Sequence, residues 1–168
     1  PTVEFINAST GAHTSPNTTS LSSATSLAIN VTLASGNYFV RVENPDGNAA
    51  RSTNNIITAS AAPTFTTSAG SLGTIAGNFS GTVATVAGSS DSAITFSETT
   101  NVLTNASQAN CTLNSSTGVI TTSDFGGSST AATTYTFTLR ITDAESQTVD
   151  RQFTLTSSFG ASGGGGFN

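Results

Sequence analysis

Residues 135–142, Tyr-Thr-Phe-Thr-Leu-Arg-Ile-Thr, decide the fold class. Tyr135, Phe137, Leu139 and Ile141 alternate with Thr136, Thr138, Arg140 and Thr142. A period of two sends every apolar side chain to one face of an extended strand, whereas on a helix the same residues would scatter around the axis. After a polar stretch at 143–147, residues 148–156 resume with Val149, Phe153 and Leu155 on one parity. Two such runs joined by a short turn predict an antiparallel hairpin with one wet face.

The same pattern recurs upstream. In 27–33 the residues Leu27, Ile29, Val31 and Leu33 share a face, and in 38–43 Tyr38, Val40 and Val42 point inward while Phe39, Arg41 and Glu43 point out. Asn44-Pro45-Asp46-Gly47 follows; proline presets the first turn dihedral and glycine accepts a positive φ, so a tight turn should lead into a returning strand over 49–58. Residues 2–7 read as a short strand and 8–20 as a polar loop. At 59–63, Ala-Ser-Ala-Ala-Pro, the alternation stops, which suits a linker. Beyond it, 64–66, 82–86 and 92–97 are strand candidates. Residues 109–122 form a hairpin around Asn-Ser-Ser-Thr-Gly, with Cys111 and Leu113 on one face before the turn and Val119 and Ile120 after it.

Turn signals every eight to twelve residues or so, with no helical run between them, indicate β-sandwiches. The expectation is an all-β chain of two immunoglobulin-like β-sandwich modules in tandem: a first module at 1–58, a linker at 59–63, a second module at 64–157 and a Gly-rich flexible tail at 158–168. The first module has too few strands for a closed sandwich. Its missing strands are expected either upstream of Pro1 or from another chain.

Composition narrows the functions. The 168 residues include 26 Ser and 32 Thr, so most outward positions carry hydroxyls rather than charge. Four Arg and no Lys face nine acidic residues, a net charge of −5, which leaves no basic stripe for nucleic acid. No apolar run approaches the ~18 residues of a spanning helix. Met and Trp are absent, and a single Cys excludes an intrachain disulfide and zinc–thiolate chemistry. With no initiator Met or leader, Pro1 reads as the edge of a processed or longer chain.

Two stretches carry a family resemblance. GNYFVRVENPDGNAARSTN, residues 36–54, is similar to the last hairpin of IPT/TIG domains, an immunoglobulin-like family, so that 1–58 resembles the C-terminal half of such a domain. CTLNSSTGVIT at 111–121 and the hairpin at 135–156 resemble the immunoglobulin-like or cadherin-like repeats found in tandem in large surface and virion proteins. Cys111 stands where that signature carries an aliphatic residue, which suggests burial. The combination is similar to bacteriophage virion structural proteins, and bacterial surface proteins share nearly all of it.

Candidate chemistry is sparse. A nucleophilic triad needs Ser or Cys, a His and a carboxylate converging. The only His, His13, falls in the polar loop, and Cys111 falls on a core strand, so no catalytic residue is expected and the chain reads as non-enzymatic. Asp143, Glu145 and Asp150 cluster at one turn; a solvated turn is the expectation and a calcium site the alternative. No cofactor is expected. Seven Asn-x-Ser/Thr sequons, at Asn7, Asn17, Asn30, Asn78, Asn105, Asn110 and Asn114, are no marked excess over chance in so Ser/Thr-rich a chain. Phe5, Phe65, Phe79, Phe96 and Phe125 read as packing residues, while Phe39 lies on an outward parity where it could meet a neighbouring subunit.

The functional expectation is a structural module of a virion surface, as capsid decoration, tail or fibre, acting by spacing and contacts with other subunits in a homo- or hetero-oligomeric assembly. The alternatives are an extracellular module binding host-surface glycan and a cellular filament or adhesin subunit. Sugar sites stack on exposed Trp or Tyr, yet there is no Trp, and Tyr38 and Tyr135 fall on inward parities.

Overall fold

The alternation at 135–142 becomes the longest pairing in the protein. A computed structural model of the chain describes residues 1–127 and 131–158, and no helix occurs among them. The chain divides into two units, Pro1–Ala61 and Ala62–Asn168.

The first unit contains β1 (Thr2–Asn7), β2 (His13–Thr14), β3 (Thr18–Ser23), β4 (Ser26–Asn30), β5 (Gly36–Glu43), β6 (Ala49–Arg51) and β7 (Ile57–Ala59). Its main sheet runs β2-β1-β5-β6, with β7 also paired to β5, and β3 and β4 form a separate hairpin. The register sets Val3 opposite Val42 and Phe5 opposite Val40, so one face of the sheet is apolar. Val3, Phe5 and Tyr38 are buried there, with Leu27, Ile29, Val31, Leu33, Val40, Val42, Ile57 and Ala59 partly buried against them. Tyr38 also donates its hydroxyl to the Ala34 carbonyl at 2.9 Å, which ties down the chain leaving β4.

Three expectations change here. The stretch 8–20 is not wholly loop: His13–Thr14 pairs with β1, and Thr18–Ser23 pairs with β4 although all six of its residues are exposed. Backbone hydrogen bonds to a neighbour suffice for a strand that buries no side chain. The strand at 27–33 ends at Asn30, while the alternation of half-buried and exposed residues continues through Leu33. The returning strand at 49–58 is split. The turn at 44–47 forms as expected, with the Gly47 amide bonded to the Asn44 carbonyl at 3.0 Å and Gly47 at φ +85°. Beyond Arg51, however, residues 52–56 bulge out opposite Phe39 and Val40, and the Ser52 hydroxyl accepts from the Val40 amide at 3.1 Å.

The second unit contains β8 (Thr64–Phe65), β9 (Gly70–Ala76), β10 (Gly81–Thr85), β11 (Gly88–Ser89), β12 (Ile94–Glu98), β13 (Cys111–Leu113), β14 (Val119–Thr122), β15 (Thr133–Asp143) and β16 (Thr148–Ser158). Two sheets, β12-β15-β16-β9 and β10-β14-β13, are accompanied by a separate short β8-β11 pair. Ten residue pairs link β15 and β16, from Thr133 opposite Ser157 to Thr142 opposite Thr148. Tyr135, Phe137, Leu139 and Ile141 are all buried, as are Phe153 and Leu155. Phe153 packs edge-on against Phe65 with centroids 5.5 Å apart, and Phe125 against Tyr135 at 5.9 Å. Such tilted contacts match the positive ring edge to the negative ring face.

Strand β9 was absent from the sequence reading. It runs parallel to β16, with Phe153 opposite Gly70 and Ser158 opposite Ala76, and an irregularity near Gly73, where φ is +135°. The hairpin at 109–122 forms as expected. Asn114 caps its turn by accepting from the Ser116 and Thr117 amides at 3.0 Å each. Phe5, Phe65, Phe96 and Phe125 are buried, but Phe79 is 37% exposed, at a turn where Asn78 takes φ +62°. Strand β7 extends through Ala59, Pro63 is buried in the second unit, and Ser158 closes β16; the remainder of the expected tail lies outside the described residues.

Candidate functional site

The residues considered for a nucleophilic triad belong to different units. His13 belongs to the first unit, more than half exposed, with its Nδ1 3.5 Å from Glu4 Oε2. Cys111 belongs to the second unit, 5% exposed, its Sγ 3.4 Å from the Ala109 carbonyl. Burial pushes that thiol up to about 12, the opposite of what a nucleophilic cysteine requires.

The acidic turn also differs from the sequence reading. Asp143 is not solvated but 5% exposed; its Oδ1 accepts from the Gln147 amide at 2.7 Å, and its Oδ2 is buried with no hydrogen-bond partner. Glu145 accepts from the Ser92 hydroxyl, and Asp150 is held by Arg140 through two parallel hydrogen bonds of 2.7 and 2.8 Å. That arrangement spreads the three carboxylates instead of gathering them. Among the described residues no three His, Cys, Asp or Glu side chains are placed to hold a metal ion.

One carboxylate missed by the sequence reading organises a whole loop. Glu98 ends β12 and accepts from the Val102, Leu103 and Thr104 amides at 2.6, 2.8 and 2.9 Å, and from the Thr100 and Thr104 hydroxyls. Partial burial raises its pKa, but the amide bonds outweigh that and hold it below the ordinary carboxylate range. A Glu at a strand end followed by Thr-Thr-Asn was the available signal. The role is structural, because the clamp buries Leu103.

The outer face of the first sheet collects most of that unit's charge. Glu4 lies opposite Arg41, Arg41 opposite Arg51, and Ile6 opposite Phe39. Arg41 bridges Glu4 at 3.1 Å and also contacts Glu43. Phe39 is half-buried, because the Arg51 guanidinium covers its ring at 4.6 Å from the centroid, so it is a shielded cation–π pair instead of an open platform. Tyr38 and Tyr135 are buried, at 3% and 6% exposure.

On the other face of that sheet lies an apolar trough of about 420 Å³, lined by Leu27, Ile29, Val31, Leu33, Ile56 and Ile57 among others. A second hollow of about 570 Å³ lies over the turn at 112–117, with polar and apolar lining mixed. No helix among the described residues is long and apolar enough to cross a membrane.

No protein-family model and no curated protein matches the chain. Solved structures do. The chain is similar to a protocadherin gammaB7 EC3-6 cis-dimer structure (TM-score 0.51, 12% identity), covering 94% of this chain and 42% of that one. It is likewise similar to the EC1-4 structures of PcdhgB3 (TM-score 0.50, 15% identity, 94% and 39% covered) and Drosophila N-cadherin (TM-score 0.50, 9% identity, 93% and 41% covered). The chain thus spans well under half the length of these structures. At such identities the likeness speaks to architecture, and the architecture is an all-β, cadherin-like and immunoglobulin-like sandwich fold.

Proposed function

We propose that this chain is a non-enzymatic structural module of a virion surface, which spaces neighbouring parts and contacts other subunits. The observation that carries this reading is the distribution of chemistry over the fold. Outward positions of β15 and β16 carry threonines, Gln152, Ser158 and a neutralised Arg140–Asp150 pair, while Cys111 is buried and Glu98 is clamped by amides. A hydroxyl-rich exterior with few charges offers little chemistry of its own, which suits a spacing role. Antibody-gold labelling of native particles tests it. Regular labelling of a capsid, tail or fibre is the expected result; label confined to a cell surface would overturn the virion reading and favour an extracellular adhesion module. The glycan-binding alternative has less support, since both tyrosines are buried and Phe39 is covered by Arg51.

A further inference from the structure

We infer that the second unit carries tension along the chain, because the strands through which the chain enters and leaves it are locked side by side in a shear geometry. Tension-bearing goes beyond the spacing role proposed above and holds on a virion or a cell surface alike. The chain enters the unit at Ala62, passes through β8 and β9, and reaches Ser158 at the end of β16. Strands β9 and β16 are neighbours and run parallel, with Phe153 opposite Gly70 at one end and Ser158 opposite Ala76 at the other. A pull on the two ends of the unit therefore drags β9 back towards its own start and β16 on towards its own end. The strands must slide past each other, so the evenly spaced bonds of five paired positions are loaded together. Had β9 run antiparallel to β16, the same pull would have opened the pairs one after another.

Further fastenings lie along the same seam. Ahead of β9, Arg151 of β16 donates from Nη1 to the Phe65 and Thr67 carbonyls at 3.2 and 2.6 Å, charge-assisted bonds that tie the entering segment directly to the leaving strand. The Thr66 amide donates to the Ala87 carbonyl at 2.9 Å, which holds that segment to the body of the unit as well. At the far end the Gly77 amide donates to the Ser158 carbonyl at 2.7 Å, and the Ser158 hydroxyl to the Ile75 carbonyl at 3.4 Å. Strand β16 is itself anchored on its other side by ten residue pairs with β15, and Phe153, Leu155 and Ser157 are fully buried. It therefore stays with the core while β9 is dragged along it. Resistance to a pull is a matter of the barrier to unfolding rather than of the folding free energy, and this seam lies across the path that a pull on the two ends must take.

Single-molecule force spectroscopy on the 168-residue protein tests the clamp by pulling it in two directions. Held by its two ends, the protein should release the second unit in one step of roughly 300 Å, distinct from the roughly 200 Å that the first unit can release. The second geometry holds the C-terminal end and an exposed Ser80→Cys just past β9, with the buried Cys111 left unmodified. There the load falls where β9 and β16 both end, so the seam opens pair by pair. At one loading rate the first geometry should need at least about twofold the force of the second, since its bonds share the load at once. Arg151→Met should lower the force in the first geometry and leave the second unchanged, because only the first strains the Phe65–Thr67 segment before the seam gives way. If Arg151→Met does not fold, Arg151→Lys, which keeps a donor, takes its place. Equal forces in the two geometries overturn the proposal, and so does an Arg151 effect of the same size in both.

Discussion

Arg151 grips Phe65 twice, donating to its carbonyl oxygen at 3.2 Å while the guanidinium carbon lies 5.3 Å from the centre of its ring. The same Nη1 also donates to the Thr67 carbonyl at 2.6 Å. One side chain from β16 therefore fastens β8 and the segment after it, adding to the two-residue pairing with β11 and to the hydrogen bonds of Thr66 and Thr67 with Ala87. Replacing Arg151 by Met keeps much of the aliphatic stem and removes both hydrogen bonds. A loss of about 2–3 kcal/mol is expected, from charge-assisted bonds in a half-buried setting. Urea denaturation followed by tyrosine fluorescence measures it. Arg151→Lys should recover part of the loss, since an ammonium reaches a carbonyl but cannot reproduce the planar fork.

Glu98 makes the second unit acid-sensitive. Its folded pKa is depressed, so the stability it contributes is fully present above the unfolded value of about 4.3 and is lost as pH falls through the lower folded value. Thermal melts between pH 6 and pH 3, an interval of about three units around that value, should show a decline that Glu98→Gln flattens. At neutral pH Glu98→Ala should cost roughly 2 kcal/mol, because the Val102 and Leu103 amides lose their acceptor. A variant whose acid limb is as steep as that of the parent would exclude Glu98 as its source.

Cys111 should be silent in the native state. A thiol with its pKa pushed up to about 12 and 5% of its surface exposed presents almost no thiolate at neutral pH. Ellman's reagent should react stoichiometrically in denaturant and only at the unfolding rate without it. Cys111→Val should change stability by about 1 kcal/mol or less, being nearly volume-conserving in a core that already treats the thiol as a small hydrophobe.

Two turns respond oppositely to substitution. Gly118, at φ +68°, closes the Asn114 turn, and a Cβ there would lie 2.0 Å from the Val86 carbonyl oxygen. Gly118→Ala therefore meets both left-handed strain and a backbone collision, and should cost about 3 kcal/mol or more. Ser146, at φ +67° in the β15–β16 turn, bears the left-handed strain at an exposed position. Ser146→Gly should stabilise by about 0.5–1 kcal/mol, the left-handed penalty of about 1–2 kcal/mol less the added unfolded-chain entropy of glycine. Differential scanning calorimetry resolves both signs.

The hairpin of β15 and β16 was legible because its apolar residues alternate without a break and its partner strand follows within a short turn. Strand β9 was not, since Gly70 and Gly73 interrupt its pattern and its partner, β16, lies some eighty residues away, so nothing local marks the pairing. Strand β3, Thr-Thr-Ser-Leu-Ser-Ser, carries no apolar period at all; the adjoining β4 makes it a strand. The Glu98 clamp was hidden for a related reason, because which amides a carboxylate reaches depends on how the loop returns to it. Phe39 was placed on the correct face, but its cover by Arg51 requires the register of β6 against β5.

By itself the sequence determined the fold class, the core-facing residues of the alternating strands and the quiet, hydroxyl-rich exterior, because these follow from side-chain period and composition, which are local properties. Only the tertiary structure decided that Asp143 is buried, that Glu98 and Arg151 fasten loops, and that Leu27 and Ile29 of the β3–β4 hairpin pack against the first unit's sheet. Each of those depends on which distant segments meet, and long-range pairing is fixed by the joint packing of whole layers rather than by any stretch read alone.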